Sequence, residues 1–161
     1  MRKREAVTDT GQRLTAMLWE RATPPRRGPR RTLTLDAIGR IGITIADAEG
    51  LGGVTMQRVA AGLGVTKMAL YRYVPGKAEL VALMIDIGVG PPPRRRARPQ
   101  RWRSATVAWA RALFAIFSQH PWAFGATVGP RVLGPNELGW LEHAVAVLDD
   151  TPLRGAEKLD V

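Results

Sequence analysis

Residues 55–77, TMQRVAAGLGVTKMALYRYVPGK, gather side chains suited to hydrogen bonding with a polyanion and with base edges. Thr55, Tyr71 and Lys77 offer a hydroxyl, a phenol and an ammonium, each able to donate to a phosphate oxygen. Gln57 can pair bidentately with adenine, and Lys67 can donate to guanine O6 and N7. Met68 or Ala69 can meet a thymine methyl. Two short helices separated by a tight turn would present these groups together. Thr55 can cap the first, whose inward positions are Met56, Val59 and Ala60. Gly62-Leu63-Gly64 breaks it, and Gly64 can take the positive φ of an interhelical turn. Thr66 can cap the second, Lys67 to Tyr73, which Val74-Pro75-Gly76 ends. On that helix Leu70 and Val74 share a face with Val65. Lys67, Met68, Ala69, Tyr71, Arg72 and Tyr73 are left for the other faces, an assortment suited to a nucleic-acid groove.

Flanking elements must hold this unit. From Thr32 or Thr34 to Ala48, Leu35, Ile38, Ile41, Ile45 and Ala46 recur at helical spacing, with Asp36 as a first-turn acid. Gly39 and Gly42 should soften this scaffold helix, at about 0.8–1 kcal/mol each relative to Ala. A connecting helix over about Lys77–Ile87 carries Leu80, Leu83, Met84 and Ile87 on one stripe. Beyond a Pro/Arg linker (91–103), a long helix over about Trp102–Gln119 shows a wide apolar face of Val107, Ala110, Leu113, Phe114 and Phe117. His120-Pro121-Trp122 ends it and opens a short helix to about Val128. Asn136 can cap a further helix to about Leu148, facing inward with Leu138, Leu141, Val145 and Leu148. The chain thus reads as all-α: a basic flexible arm (1–31), a helix-turn-helix domain (32–90), the linker, and a helical regulatory part (104–161).

Composition narrows the partners. The 161 residues carry a net charge of +10. Its placement is uneven: nine basic against three acidic residues in 1–31, five against five in 32–90, six against none in 91–103, and four against six in 104–161. Positive charge therefore flanks the helix-turn-helix, and a polyanion is its natural partner. With no cysteine, disulfides, thiolate metal sites and a Cys nucleophile are excluded. No apolar run approaches the roughly 18 residues of a membrane span, and no signal-peptide core follows the basic start, so a cytoplasmic protein is expected. Enzyme chemistry lacks its residues. The two histidines are 23 positions apart, no GxSxG is present, and Gly76-Lys77 lacks the surrounding pattern of a phosphate loop. Neither a metal nor a resident cofactor is expected.

The same stretch resembles the DNA-binding domain of the tetracycline-repressor (TetR) family of bacterial regulators. The matching positions are Ala46, Glu49-Gly50, Thr55, Ala60, Leu63-Gly64-Val65, Leu70-Tyr71, Tyr73, Lys77 and Leu80. Further on, WR…HPW…LGPN…LE…PLRGAEKLDV looks like the first half of that family's ligand-binding and dimerisation domain. The resemblance implies phosphate contacts from Thr55, Tyr71 and Lys77, the last at a helix start whose partial positive charge adds to its own. It places base readers among Gln57, Lys67, Met68, Ala69 and Tyr73, further backbone contacts at Arg58 and Arg72, and Thr66 within the same DNA-binding set. It also implies a homodimer on an inverted-repeat operator in double-stranded DNA, with recognition helices in successive major grooves about 34–36 Å apart. Repression would be relieved by a small hydrophobic effector acting through the connecting helix.

Plainer readings stand beside these. Tyr71 can be core with its hydroxyl at the surface, Lys67 and Arg72 can be solvated charges, and Met68 can cover the apolar face. Met84, Phe117, His120, Trp122 and Phe124, with His143, are the candidate effector-pocket residues, though aromatics at helical spacing also make ordinary core. Two other functions remain open: a non-specific polyanion-binding protein working through arm and linker, and a truncated chain that binds a ligand or partner without dimerising.

Overall fold

The computed structural model of the chain describes residues 2–20, 33–94, 101–129 and 131–160. Among the described residues every regular element is helical. The helices are α1 (Arg2–Glu20), α2 (Leu35–Gly53), α3 (Met56–Gly62), α4 (Lys67–Tyr71), α5 (Lys77–Val89), α6 (Trp102–Gln119), α7 (Pro121–Ala126) and α8 (Pro135–Val147), followed by a 3₁₀ turn at Gly155–Lys158. The all-α expectation therefore holds.

Thr34 starts α2 by accepting a hydrogen bond from Ala37 N at 3.1 Å. Gly50, at φ 72°, interrupts the helix close to its expected end at Ala48. The core lies where α2 and α5 pack, around Ile38, Leu80, Leu83, Met84 and Ile85. Here the two soft glycines gain a physical reason. A Cβ on Gly42 would stand 2.6 Å from Met84 Sδ, and one on Gly39 would run into Ile87 Cδ1. Their propensity cost of about 1 kcal/mol each is outweighed by close packing, since each large apolar side chain buried there contributes roughly 1.5–3 kcal/mol.

Three expectations need correction. Residues 2–20 form helix α1 rather than part of a flexible arm; residues 21–31, the rest of that arm, lie outside the described residues. The reason is tertiary: Leu14, Met17 and Leu18 recur at helical spacing and pack on the core, with Leu18 fully buried. Its neighbour Trp19 donates its indole N–H to Leu133 O at 3.3 Å. On α8, Trp140 is the buried residue, whereas Leu138, Val145 and Leu148 are half-buried and Leu141 is exposed. And α6 fully buries none of its residues: Leu113 and Phe117 are half-buried against the core, whereas Val107 and Phe114 face outward, with Phe114 73% exposed. Residues 95–100 of the expected linker lie outside the described residues, and its end, Trp102 and Arg103, already belongs to α6.

Candidate nucleic-acid interface and its connection to the second helical layer

The helix-turn-helix forms as its cap residues require. Thr55 Oγ1 accepts from Arg58 N at 3.2 Å and Thr66 Oγ1 accepts from Ala69 N at 3.1 Å. Each hydroxyl keeps its own O–H as a donor for an outside acceptor. Gly64 adopts φ 65°, and Val65 N returns to Ala60 O at 3.0 Å to close the turn between α3 and α4. Leu70 and Val74 are fully buried, together with Val59 and Val54. A helix of only five residues is marginal alone. It is held here by the burial of Leu70 and by the Thr66 cap.

That anchoring leaves Thr55, Gln57, Thr66, Lys67, Met68, Arg72 and Lys77 exposed, with Ala69, Tyr71 and Tyr73 half-buried. Met68 is 74% exposed, so it does not cover the apolar face. Lys67 Nζ lies 5.8 Å from the centroid of the Tyr71 ring, a cation–π distance that pre-orients the ammonium. Lys77 Nζ donates to Leu51 O at 3.0 Å, keeping two further N–H groups while tying the start of α5 to the end of α2. Arg58 is also exposed; its guanidinium forks onto Glu49 and donates to Gly53 O at 3.0 Å, clamping the α2–α3 corner. The bidentate bond to Arg58 holds the Glu49 carboxyl below its ordinary pKa, and the same bond raises Arg58.

The residues expected around an effector do not converge. Met84 is fully buried in the α2–α5 core. Phe117 and Phe124 make an edge-to-face pair with centroids 5.9 Å apart, and Phe124 is 66% exposed. His120 and Trp122 turn to α2: His120 Nδ1 and Trp122 Nε1 each lie 2.7 Å from Asp47 Oδ1. His143 is half-buried on α8. An apolar groove of about 260 Å³ opens instead between α6, α8 and the 3₁₀ turn, bounded by Trp102, Trp109, Leu141, Val145, Leu148 and Leu159.

Sequence reasoning missed the polar groups that join the layers. Asp86 on α5 is fully buried, and its Oδ1 accepts from Asn136 N at 2.8 Å and Glu137 N at 3.3 Å. A carboxylate from another helix thus caps α8, the task expected of Asn136, whose own side chain donates to Asp86 O at 2.8 Å. Gly134 makes this approach possible, because a Cβ there would overlap the Asp86 carboxylate. Trp140 Nε1 donates to Gly90 O at 2.9 Å, and Trp109 Nε1 to Trp140 O at 3.1 Å. Arg131 pairs with the half-buried Glu137 at 2.5 Å. The one available signal was Asp86 itself, an acid inside the apolar stripe of α5. Asp47 carried none.

Comparison with known proteins agrees with this arrangement. The model for bacterial regulatory proteins of the tetR family matches residues 44–84, and the tetracyclin repressor-like C-terminal domain matches residues 96–161. The HTH-type transcriptional repressor DrrR1 of Streptomyces coeruleorubidus is 40% identical over 145 residues, covering 84% of this chain and 51% of the relative. An HTH-type transcriptional regulator of Saccharopolyspora erythraea is 26% identical, covering 89% of this chain and 61% of its own. Among solved structures, the Streptomyces coelicolor TetR family protein ActR in complex with actinorhodin superposes with a TM-score of 0.73 at 27% identity, covering 81% of this chain and 62% of that one. The chain spans about half the length of DrrR1. With a Thr-capped helix-turn-helix on a glycine-tight scaffold, and both matched domains consecutive along it, the chain belongs to the tetR family of bacterial regulatory proteins.

Proposed function

We propose that the chain binds double-stranded DNA site-specifically and represses transcription, as a homodimer on an inverted repeat, with release by a small hydrophobic effector. The observation that carries this reading is the outward face of α4: Lys67, Met68 and Arg72 exposed over a buried Leu70, on a helix fixed by Thr66 and Gly64. Lys67 and Met68, with Gln57 of α3, read base edges. Thr55, Thr66, Tyr71 and Lys77 donate to phosphate, and Ala69, Arg72 and Tyr73 complete the surface. DrrR1 is named a repressor, and ActR is described with actinorhodin bound. Both support an effector-relieved repressor. The α6–α8 groove, lined by indoles and aliphatic side chains, suits a largely apolar effector better than the scattered positions of Phe117 and Phe124 do.

Selection of random-sequence duplexes by the purified chain at about 150 mM salt tests the reading, since lower salt lets the flanking basic runs hold any DNA. Enrichment of one inverted repeat is expected. On that duplex Lys67→Ala should cost about 1–3 kcal/mol and relax preference at one position, while Tyr71→Phe weakens all sequences alike. Recovery of duplexes without a motif would overturn site-specific binding in favour of general polyanion binding.

A further inference from the structure

Residues 47–51 at the end of α2 touch three other elements within five positions. Asp47 Oδ1 receives both donors of the α6–α7 corner, His120 Nδ1 and Trp122 Nε1, at 2.7 Å each. Two residues on, Glu49 forks with Arg58 of α3. Two further on, Leu51 O accepts from Lys77 at the start of α5. His120 and Trp122 are buried, while the Asp47 side chain keeps 35% of its surface and borders an open depression of about 440 Å³ between α2 and α7. Water can therefore replace either donor on Asp47, so the joint can open without stranding a buried carboxylate. Gly50, at φ 72°, gives the segment a bend next to that joint.

We propose that Asp47 is the positioning residue through which the α6–α7 corner holds the end of α2, and that corner movement reaches α3 and α4 by this route, separately from the α5–α8 contact at Asp86. A displaced corner drags Asp47. Glu49 and Leu51, on the same short segment, then shift Arg58 and Lys77. By reciprocity of linkage, DNA held on α3 and α4 must in turn change the stability of α7.

This inference rests on the DNA-binding reading, and its test keeps the two apart. Amide hydrogen exchange across residues 121–126 is followed in the full chain, with and without the duplex enriched by selection. Expected is about fivefold or greater change in exchange on binding, the low end of ordinary coupling. Asp47→Ala should abolish that response, whereas Asp47→Asn, which keeps an acceptor oxygen, should retain it. Trp122→Phe, which keeps the ring and loses one donor, should reduce it, and it serves as the deciding variant should Asp47→Ala melt early. An unchanged response in Asp47→Ala and Trp122→Phe would overturn the route through α2. A wild-type chain that binds its duplex with no response at 121–126 would do the same while leaving DNA binding intact. Failure to enrich any duplex would instead remove the DNA-binding reading, and the inference with it.

Discussion

The helices from α2 to α5 and those from α6 to α8 were equally amphipathic as sequence, yet they use their apolar faces differently. Among the described residues most of the buried apolar side chains lie between Ile38 and Val89, whereas α6 buries none and exposes Val107 and Phe114. The first region is closed by close backbone approach at Gly39 and Gly42 and by threonine caps at Thr34, Thr55 and Thr66. The second is held to it by buried Trp122, Ala123 and Trp140 and by polar contacts: Asp86 with the start of α8, Trp140 with Gly90, and Asp47 with His120 and Trp122. The two regions thus share a seam of a few buried side chains and directional bonds, lighter than the α2–α5 packing. Hydrogen bonds exchange with water at a net cost near 1 kcal/mol each, whereas opening the packed core would forfeit several large side chains.

The largest expected effect tests this contrast directly. Leu83→Ala should destabilise the chain by about 2–5 kcal/mol in denaturant unfolding, because it leaves a cavity in the α2–α5 core. Phe114→Ala, a larger truncation on an exposed face, should change it by less than about 0.5 kcal/mol. Equal losses would show that the α6 face is covered in solution and would break the comparison. Next is Gly134→Ala. Its Cβ collides with the Asp86 carboxylate, so about 1–3 kcal/mol of overpacking is expected. Exchange protection at Asn136 and Glu137 should fall while that of α3 is kept. Loss of protection throughout would mean that the α5–α8 joint is part of one cooperative core.

The smallest effect concerns acid. Glu49 is more acidic in the folded chain than as a free side chain, so its contribution is complete above the ordinary carboxylate range and is lost as pH falls through its lowered value. Arg58 stays charged throughout. Melting temperatures of Glu49→Gln and the parent should therefore converge toward acid pH and separate toward neutrality, by a small margin for so exposed a pair. Parallel curves would remove Glu49 from the α2–α3 clamp.

Residues that act on their own neighbours were legible in the sequence. Thr55, Thr66 and Gly64 work within three or four positions, so spacing alone located the helix-turn-helix and its tether. Arg58 shows the limit. Its type suited phosphate, and its ion pair with Glu49, nine residues away, could not be read from spacing. The partners of the effector candidates were illegible for a related reason: an aromatic stripe announces that a face is to be covered without saying by what, and His120 and Trp122 found Asp47.

The helices, their caps and turns, the absence of thiol chemistry and a donor-rich face on α4 were all set by the sequence, because each follows from local backbone geometry and side-chain chemistry. Only the tertiary structure decided that α1 is a docked helix, that Gly39 and Gly42 are points of close approach, and that Asp47 and Asp86 join the layers. Those are meetings of residues up to 114 positions apart, and a contact across such a distance exists only once packing has brought both partners to the same place.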